Sequence, residues 1–206
     1  MRILLIPPAH HYPTYPSFLS FSDFPCGFAY ISGALKKAGH EVYGCSVNNK
    51  VGYKSAKDMV KAEIVASIAE HSPELIGLGG LCTDYTFLRD AIAITRRASP
   101  TTPIVLGGQI VTNDAEFIAG DLQPDYLVVG DGEDAIKRIA AGEIKPHSIV
   151  ETKPPLKDLD VLPFPDYEPF GVMDMLDNHS HDTRLLYRYS RKDARPFNIV
   201  ASRGCP

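Results

Sequence analysis

No stretch of this 206-residue chain is apolar for long enough to cross a membrane or to serve as an export signal. The longest early run, Ile3-Leu4-Leu5-Ile6, is closed by Pro7-Pro8, whereas a spanning helix needs about 20 apolar residues. A cytoplasmic location without membrane contact is therefore expected. Positive charge is not in excess either: 21 Lys and Arg stand against 25 Asp and Glu, a net charge of -4. That balance provides no electrostatic footprint for nucleic acid or an anionic bilayer. The four cysteines, Cys26, Cys45, Cys82 and Cys205, contain no Cys-x-x-Cys spacing, which argues against a disulfide framework and against a self-contained zinc site. Internal repeats and low-complexity tracts are also missing. A small molecule or a protein remains as the partner.

The chain does contain regular alternation. Hydrophobic residues at 44% and charged residues at 22% lie in the globular range, and the length suffices for one α/β domain plus a tail. Strand-like runs at 2–6, 41–47, 75–78, 103–106 and 126–129 alternate with helix-period segments at 27–38, 55–71, 84–98, 113–119 and 133–141. Ser55 reads as a helix N-cap, and Gly39 stands where a helix C-cap belongs. Parallel neighbours need crossover connections, so five strands separated by helices imply a doubly wound five-stranded parallel sheet over residues 1–142. Beyond Gly142 the composition shifts. Pro146, Pro154, Pro155, Pro163, Pro165 and Pro169 are too dense for helix or central strand, so 143–196 read as a Pro-rich extension, a linker or wrapping arm, before a strand-like segment at 197–201.

Ligands of an open parallel sheet sit beyond the carboxyl ends of its strands. The loops there are rich in glycine and small polar residues: Ser46, Asn48, Asn49 and Gly52 after the second strand; Gly79, Gly80, Cys82 and Thr83 after the third; Gly107, Gly108 and Thr112 after the fourth; Gly130, Asp131, Gly132 and Glu133 after the fifth. Glycine lets a planar ligand or phosphate approach the backbone, and the following helix starts offer free N–H groups. For any one of these glycines the alternative is a plain turn. Asp131 and Glu133 read either as an acid/base pair or as residues shaping a turn and a helix start.

At these residues a family resemblance emerges. Pro103-Ile104-Val105-Leu106-Gly107-Gly108 with Thr112, then Asp125-Tyr126-Leu127-Val128-Val129-Gly130-Asp131-Gly132-Glu133, resembles the N-terminal cobalamin-binding domain of B12-dependent radical S-adenosylmethionine enzymes. Leu159-Asp160-Val161-Leu162-Pro163-Phe164-Pro165 is similar to the linker that joins that domain to the radical barrel. The ending Ser202-Arg203-Gly204-Cys205-Pro206 resembles the opening of the Cys-x-x-x-Cys-x-x-Cys cluster motif. The resemblance implies a flavodoxin-like, Rossmann-like domain that binds cobalamin. It also implies a C-terminal radical barrel of the same polypeptide, beginning at 197–206, that holds a [4Fe-4S] cluster and S-adenosylmethionine. On that reading Cys205 is the first cluster ligand. The whole enzyme is then a methyltransferase or an oxidative cyclase, and this chain without the barrel is catalytically silent.

The resemblance has one departure. Cobalamin domains with an Asp-x-His-x-x-Gly loop use its histidine as a cobalt ligand, but here the stretch is Ser46-Val47-Asn48-Asn49-Lys50-Val51-Gly52. Aligned on Gly52, Val47 and Asn49 take the places of Asp and His, so the loop has no imidazole. This leaves a second reading open, a cofactor-free docking module for the barrel. A receiver-type domain is disfavoured, because Pro7-Pro8-Ala9 and Gly79-Gly80-Leu81 occupy the places where its acidic cluster and its aspartate belong.

Several other residues invite functional readings. His10, His11 and the aromatics up to Phe24 suggest a rim loop or an Ω-loop packed on itself. Cys45 and Cys82 read as small buried hydrophobes that could stand near the rim. His179, His181 and Asp182, like the basic run from Arg184 to Arg195, read as solvated segments.

Overall fold

The run Ile3-Leu4-Leu5-Ile6 lies inside a sheet covered on both faces, and none of its four residues is more than 1% exposed. The computed structural model describes residues 1–9, 12–13, 25–48, 50, 53–152, 158–173 and 176. In chain order its elements are β1 (Arg2–Ile6), α1 (Cys26–Lys37), β2 (Glu41–Gly44), α2 (Ala56–His71), β3 (Leu75–Gly79), α3 (Tyr85–Ala98), β4 (Ile104–Gly107), α4 (Gln109–Asn113), α5 (Ala115–Leu122), β5 (Tyr126–Val129), α6 (Gly132–Ala140) and β6 (Ser148–Glu151). All pairings are parallel and the strand order is β2-β1-β3-β4-β5-β6, the flavodoxin-like order with one strand added.

Side chains of a strand alternate between faces, so Leu4 and Ile6 pack with α2, α3, α4 and α5, while Ile3 and Leu5 pack with α1 and α6. The helices follow their local signals. Ser55 caps α2, its Oγ accepting from Asp58 N at 3.1 Å. Gly39, at φ 86°, ends α1.

Two expectations are corrected. The sheet has six strands, not five. The sixth lies among the prolines assigned to the linker, pairs with β5 along the sheet edge, and buries only Val150. Four residues with one inward side chain give no periodicity to read, and edge strands tolerate flanking proline. The single helix expected at 113–119 is two, α4 and α5, split at Asp114, whose Oδ1 accepts from Phe117 N at 3.0 Å and starts α5 anew.

From the β6 edge the chain returns over α1 toward the opposite edge as a strap of residues 158–172. Asp166 N donates to Ala29 O at 2.8 Å. Ser32 Oγ donates to Asp166 Oδ2 at 2.6 Å, and Lys36 Nζ lies 2.9 Å from both Asp166 and Glu168. The 3-10 turn Glu168–Phe170 then sits on β2, with Phe170 buried and its ring edge-on to Phe28 at 6.3 Å. The close contact needs Gly44, since a Cβ there would lie 2.3 Å from the Pro169 carbonyl oxygen.

Candidate functional site

Between β1 and β3 the strand order reverses, which opens a crevice at their carboxyl ends. A cavity of about 840 Å³ lies there. Its upper wall consists of the turns after β3, β4 and β5, and they are locked by backbone contacts. Gly80 N donates to Gly107 O at 3.4 Å and Ile110 N donates to Gly80 O at 3.2 Å. Gly108 adopts φ 89° and ψ -176°, a region essentially reserved for glycine, and a Cβ on it would come within 2.6 Å of Gly80 O. Thr112 Oγ1 donates to Gly108 O and accepts from Gly130 N, both at 3.2 Å, so one hydroxyl joins the β4 turn to the β5 turn. Thr152 Oγ1 donates to Asp131 O at 2.8 Å, and Asn48 Nδ2 donates to Pro8 O at 3.1 Å. The result is a rim whose middle carries no side chains.

Below the rim the cavity continues between the sheet and the helices α1 and α6. Leu5, Gly77, Val105 and Val128 line it from the sheet, and Phe28, Ile31 and Ile136 from the helices. Gly77 gives the Leu5 side chain its place on this floor, since a Cβ there would lie 2.7 Å from Leu5 Cδ2. The charged lining residues stand higher. Asp84 accepts from Leu81 N at 2.8 Å, and Glu133, only 6% exposed, belongs to the first turn of α6.

Of the residues singled out in the sequence, Ser46, Asn48, Gly79, Gly80, Gly107, Gly108, Gly130, Asp131, Gly132 and Glu133 line this one cavity. Cys82, Thr83 and Thr112 are not among its lining residues. Cys82 is exposed and accepts from Asn113 Nδ2 at 3.1 Å, so the reading of it as a buried hydrophobe is corrected: the turn that follows β3 carries its side chain outward. Cys45 is buried, and that burial pushes its thiol up to about 11. Asn49, Gly52, His10, His11, His179, His181, Asp182, the basic run and Cys205 lie outside the described residues. Tyr12, from the aromatic loop, is anchored on α3. Its hydroxyl donates to Asp90 at 2.6 Å, its ring meets Phe87 edge-on at 5.7 Å, and burial first, then Asp90, raises its phenol above the usual range.

Sequence reasoning missed the α1 start, Asp84, Gln109 and the cavity floor. Gly77 was the available signal, because a glycine inside the strand run Leu75-Ile76-Gly77-Leu78 marks a close approach or a gap. Among the described residues, no group of three or more His, Cys, Asp or Glu is placed to hold a metal, and no helix is long and apolar enough to cross a membrane.

With this geometry in hand, residues 23–140, more than half of the chain, match the family model described as B12 binding domain. Two solved structures share the fold, both of the radical S-adenosylmethionine methyltransferase TsrM from Kitasatospora setae. One, with tryptophan substrate and the SAM analogue aza-SAM bound, is 23% identical with a TM-score of 0.54. The other, with cobalamin and a [4Fe-4S] cluster bound, is 24% identical with a TM-score of 0.55. Each alignment covers 68% of this chain but 25% and 24% of the other, so the chain spans about a quarter of the length of those structures. No curated protein matches.

Proposed function

The chain belongs to the B12-binding domain family, and from that premise we propose that its cavity holds cobalamin for a radical S-adenosylmethionine domain in the same polypeptide. The observation that carries the reading is the cavity at the β1/β3 switch point, about 840 Å³ and walled by three glycine turns. Its size is that of a small-molecule site, and a flat macrocycle fits a rim where the protein presents backbone rather than side chains. A Cβ at Gly80 or Gly108 would collide with Asp84 or with the Gly80 backbone, so the close packing of these turns depends on glycine. No histidine is among the described lining residues, so these residues hold the ring by backbone and apolar contact. The apolar depth between α1 and α6 suits a second, slimmer part of the same ligand.

When bound, cobalamin supplies a cobalt centre for carrying a one-carbon group or tuning a radical step. This chain's share is to orient the macrocycle, keep water from its buried side and leave the other side to the partner domain. That domain is expected to provide the [4Fe-4S] cluster, beginning with Cys205, and the S-adenosylmethionine site. A methyltransferase or cyclase reaction of the whole enzyme belongs to the same proposal.

The test is to mix the purified chain with hydroxocobalamin, remove free ligand and record the visible spectrum. Retained corrinoid absorbance in about equimolar amount is expected. None at micromolar protein would overturn the reading in favour of a cofactor-free docking module, which the missing imidazole in the 46–52 loop motivates.

A further inference from the structure

Three large apolar side chains of the strap face solvent between residues 159 and 164: Leu159 is 39% exposed, Val161 56% and Phe164 94%. The Phe164 ring stands in water, yet its backbone is held. A Cβ on Gly33 of α1 would lie 2.5 Å from Phe164 O and 3.4 Å from Pro163 Cγ, so the strap presses on α1 at this point. Asp166 N, just beyond, is bonded to Ala29 O. Pro163 and Pro165 restrict the backbone on either side. The turn before them is closed as well, with Leu162 N donating to Leu159 O at 3.1 Å and Asp160 N to Asp158 Oδ1 at 2.9 Å. An aromatic side chain held outward on a stiffened backbone loses little freedom on docking, and interfaces are built around such anchors. The exposed Asp158 and Asp160 supply the polar border of the patch.

Size, length and position say what covers it. The three side chains expose on the order of 300 Å², short of the roughly 800 Å² per partner that a stable free-standing complex buries. A second copy of the chain is therefore a poor occupant, whereas a covalently joined domain docks at an effective concentration that a free copy lacks. The match to this chain covers only 25% and 24% of the two solved structures, so in those proteins the shared fold is joined to a large further body of chain. Gly33 lies about two turns along α1 from Cys26, which lines the cavity, and that is roughly 10 Å of helix. One body can thus sit over both the cavity mouth and Phe164. We propose that Leu159, Val161 and Phe164 form the docking surface for the radical S-adenosylmethionine domain of the same polypeptide, with Phe164 as the anchor seated in an apolar pocket of that domain. The inference rests on the proposed presence of that domain and not on whether the cavity is loaded.

The experiment compares hydroxyl-radical footprints, read residue by residue by mass spectrometry, of the 206-residue chain and of the longer polypeptide that carries the radical domain. Phe117 on α5, 55% exposed, is the exposed reference and Phe170 the buried one. Relative to Phe117, oxidation of Phe164 is expected to fall several-fold in the longer polypeptide, toward the level of Phe170. The double variant V161S/F164S should leave the unfolding midpoint and corrinoid retention of the 206-residue chain unchanged, and in the longer polypeptide it should speed proteolytic cleavage between the two domains. Equal Phe164 oxidation in both polypeptides would overturn the inference, and that comparison needs no variant. A dimer of the 206-residue chain at micromolar concentration that the double variant abolishes would overturn it too, since a second copy would then be the occupant. Either result with corrinoid still retained leaves the cofactor reading intact. A longer polypeptide without a radical domain would remove the inference together with that part of the proposed function.

Discussion

The glycine rim and the strap over α1 are both tightly held, but by opposite means. The rim is fixed by backbone hydrogen bonds among Gly80, Gly107, Gly108 and Ile110 with help from Thr112, and its centre is left bare. The strap is fixed mostly by side chains, with one backbone bond from Asp166 N to Ala29 O, Asp166 held by Ser32 and Lys36, Phe170 inserted beside Phe28, and Tyr167 hydroxyl 3.4 Å from Cys26 Sγ. Glycine serves both regions. At Gly77, on the cavity floor, a Cβ would lie 2.7 Å from the end of the Leu5 side chain; at Gly108 and Gly44 the missing Cβ lets one piece of chain close against another. A change at the rim should therefore strike binding and fold together, whereas a change under the strap should strike fold alone.

The severest break of that contrast is Gly108→Ala. The position combines positive φ with a Cβ contact of 2.6 Å to Gly80 O, and backbone on both sides leaves nothing flexible to yield. Strain and crowding together are expected to destabilise by about 3 kcal/mol and to abolish corrinoid retention. Thermal unfolding followed by circular dichroism, with the visible spectrum, measures both; wild-type retention in the variant would mean that the turn does not shape the site. Next is Gly44→Ala, where a Cβ would lie 2.3 Å from Pro169 O and 2.7 Å from the Phe170 ring. A loss of about 2 kcal/mol is expected, with corrinoid still retained. If retention vanishes with the strap, the two regions are one functional unit and the contrast is wrong.

Gly77→Val probes the cavity from below. The nearest obstacle is the Leu5 Cδ2 end of a side chain, which can rotate, so the fold should lose about 1 kcal/mol at most. The new methyls would nonetheless occupy the floor, and corrinoid affinity should fall by roughly tenfold, equal to about 1.4 kcal/mol of binding. Titration by visible absorbance reads this directly. An unchanged affinity would place the ligand wholly on the rim.

How much of this the sequence could reveal follows from where each signal resides. Central strands such as β1 and β3 are continuous apolar runs, and α2 and α3 carry apolar stripes, α2 with a cap at Ser55, so local pattern and tertiary burial agree and the order of elements was legible. β6 was not, because an edge strand with one buried residue inherits its structure from β5 rather than from its own composition. The rim glycines were legible as a set because the parallel topology sends every strand's carboxyl end to one side. Asp84 and the α1 start were not, since they reach the cavity by tertiary folding from positions distant in sequence from the β5 turn. Thr112, named for its place in the β4 turn, braces the β4 and β5 turns with one hydroxyl, a role that only the folded geometry reveals.

The mildest test concerns the charge that ties the strap to α1. Burial alone would raise the Asp166 carboxyl, but hydrogen bonds from Ser32 and Lys36 outweigh it and hold the group below the usual aspartate range. A carboxyl depressed by folding adds stability that is present above its unfolded value, about 3.9, and is lost as pH falls through the folded value. Lys36 is the complement: burial would lower it, yet Glu168 and Asp166 raise it, so its share persists through neutral pH and is lost only when lysine deprotonates. Asp166→Asn keeps an acceptor for Ser32 Oγ and removes only the charge. Because Lys36 is about one-third exposed and Glu168 faces solvent, the loss at pH 7 should be about 1 kcal/mol or less. The difference between variant and wild-type unfolding midpoints should be flat from about pH 8 to pH 5 and shrink below about pH 4. A difference that grows toward acid instead would mean that the strap is held by shape, through Phe170 and Gly44, and that the ion pair adds nothing to the contrast with the rim.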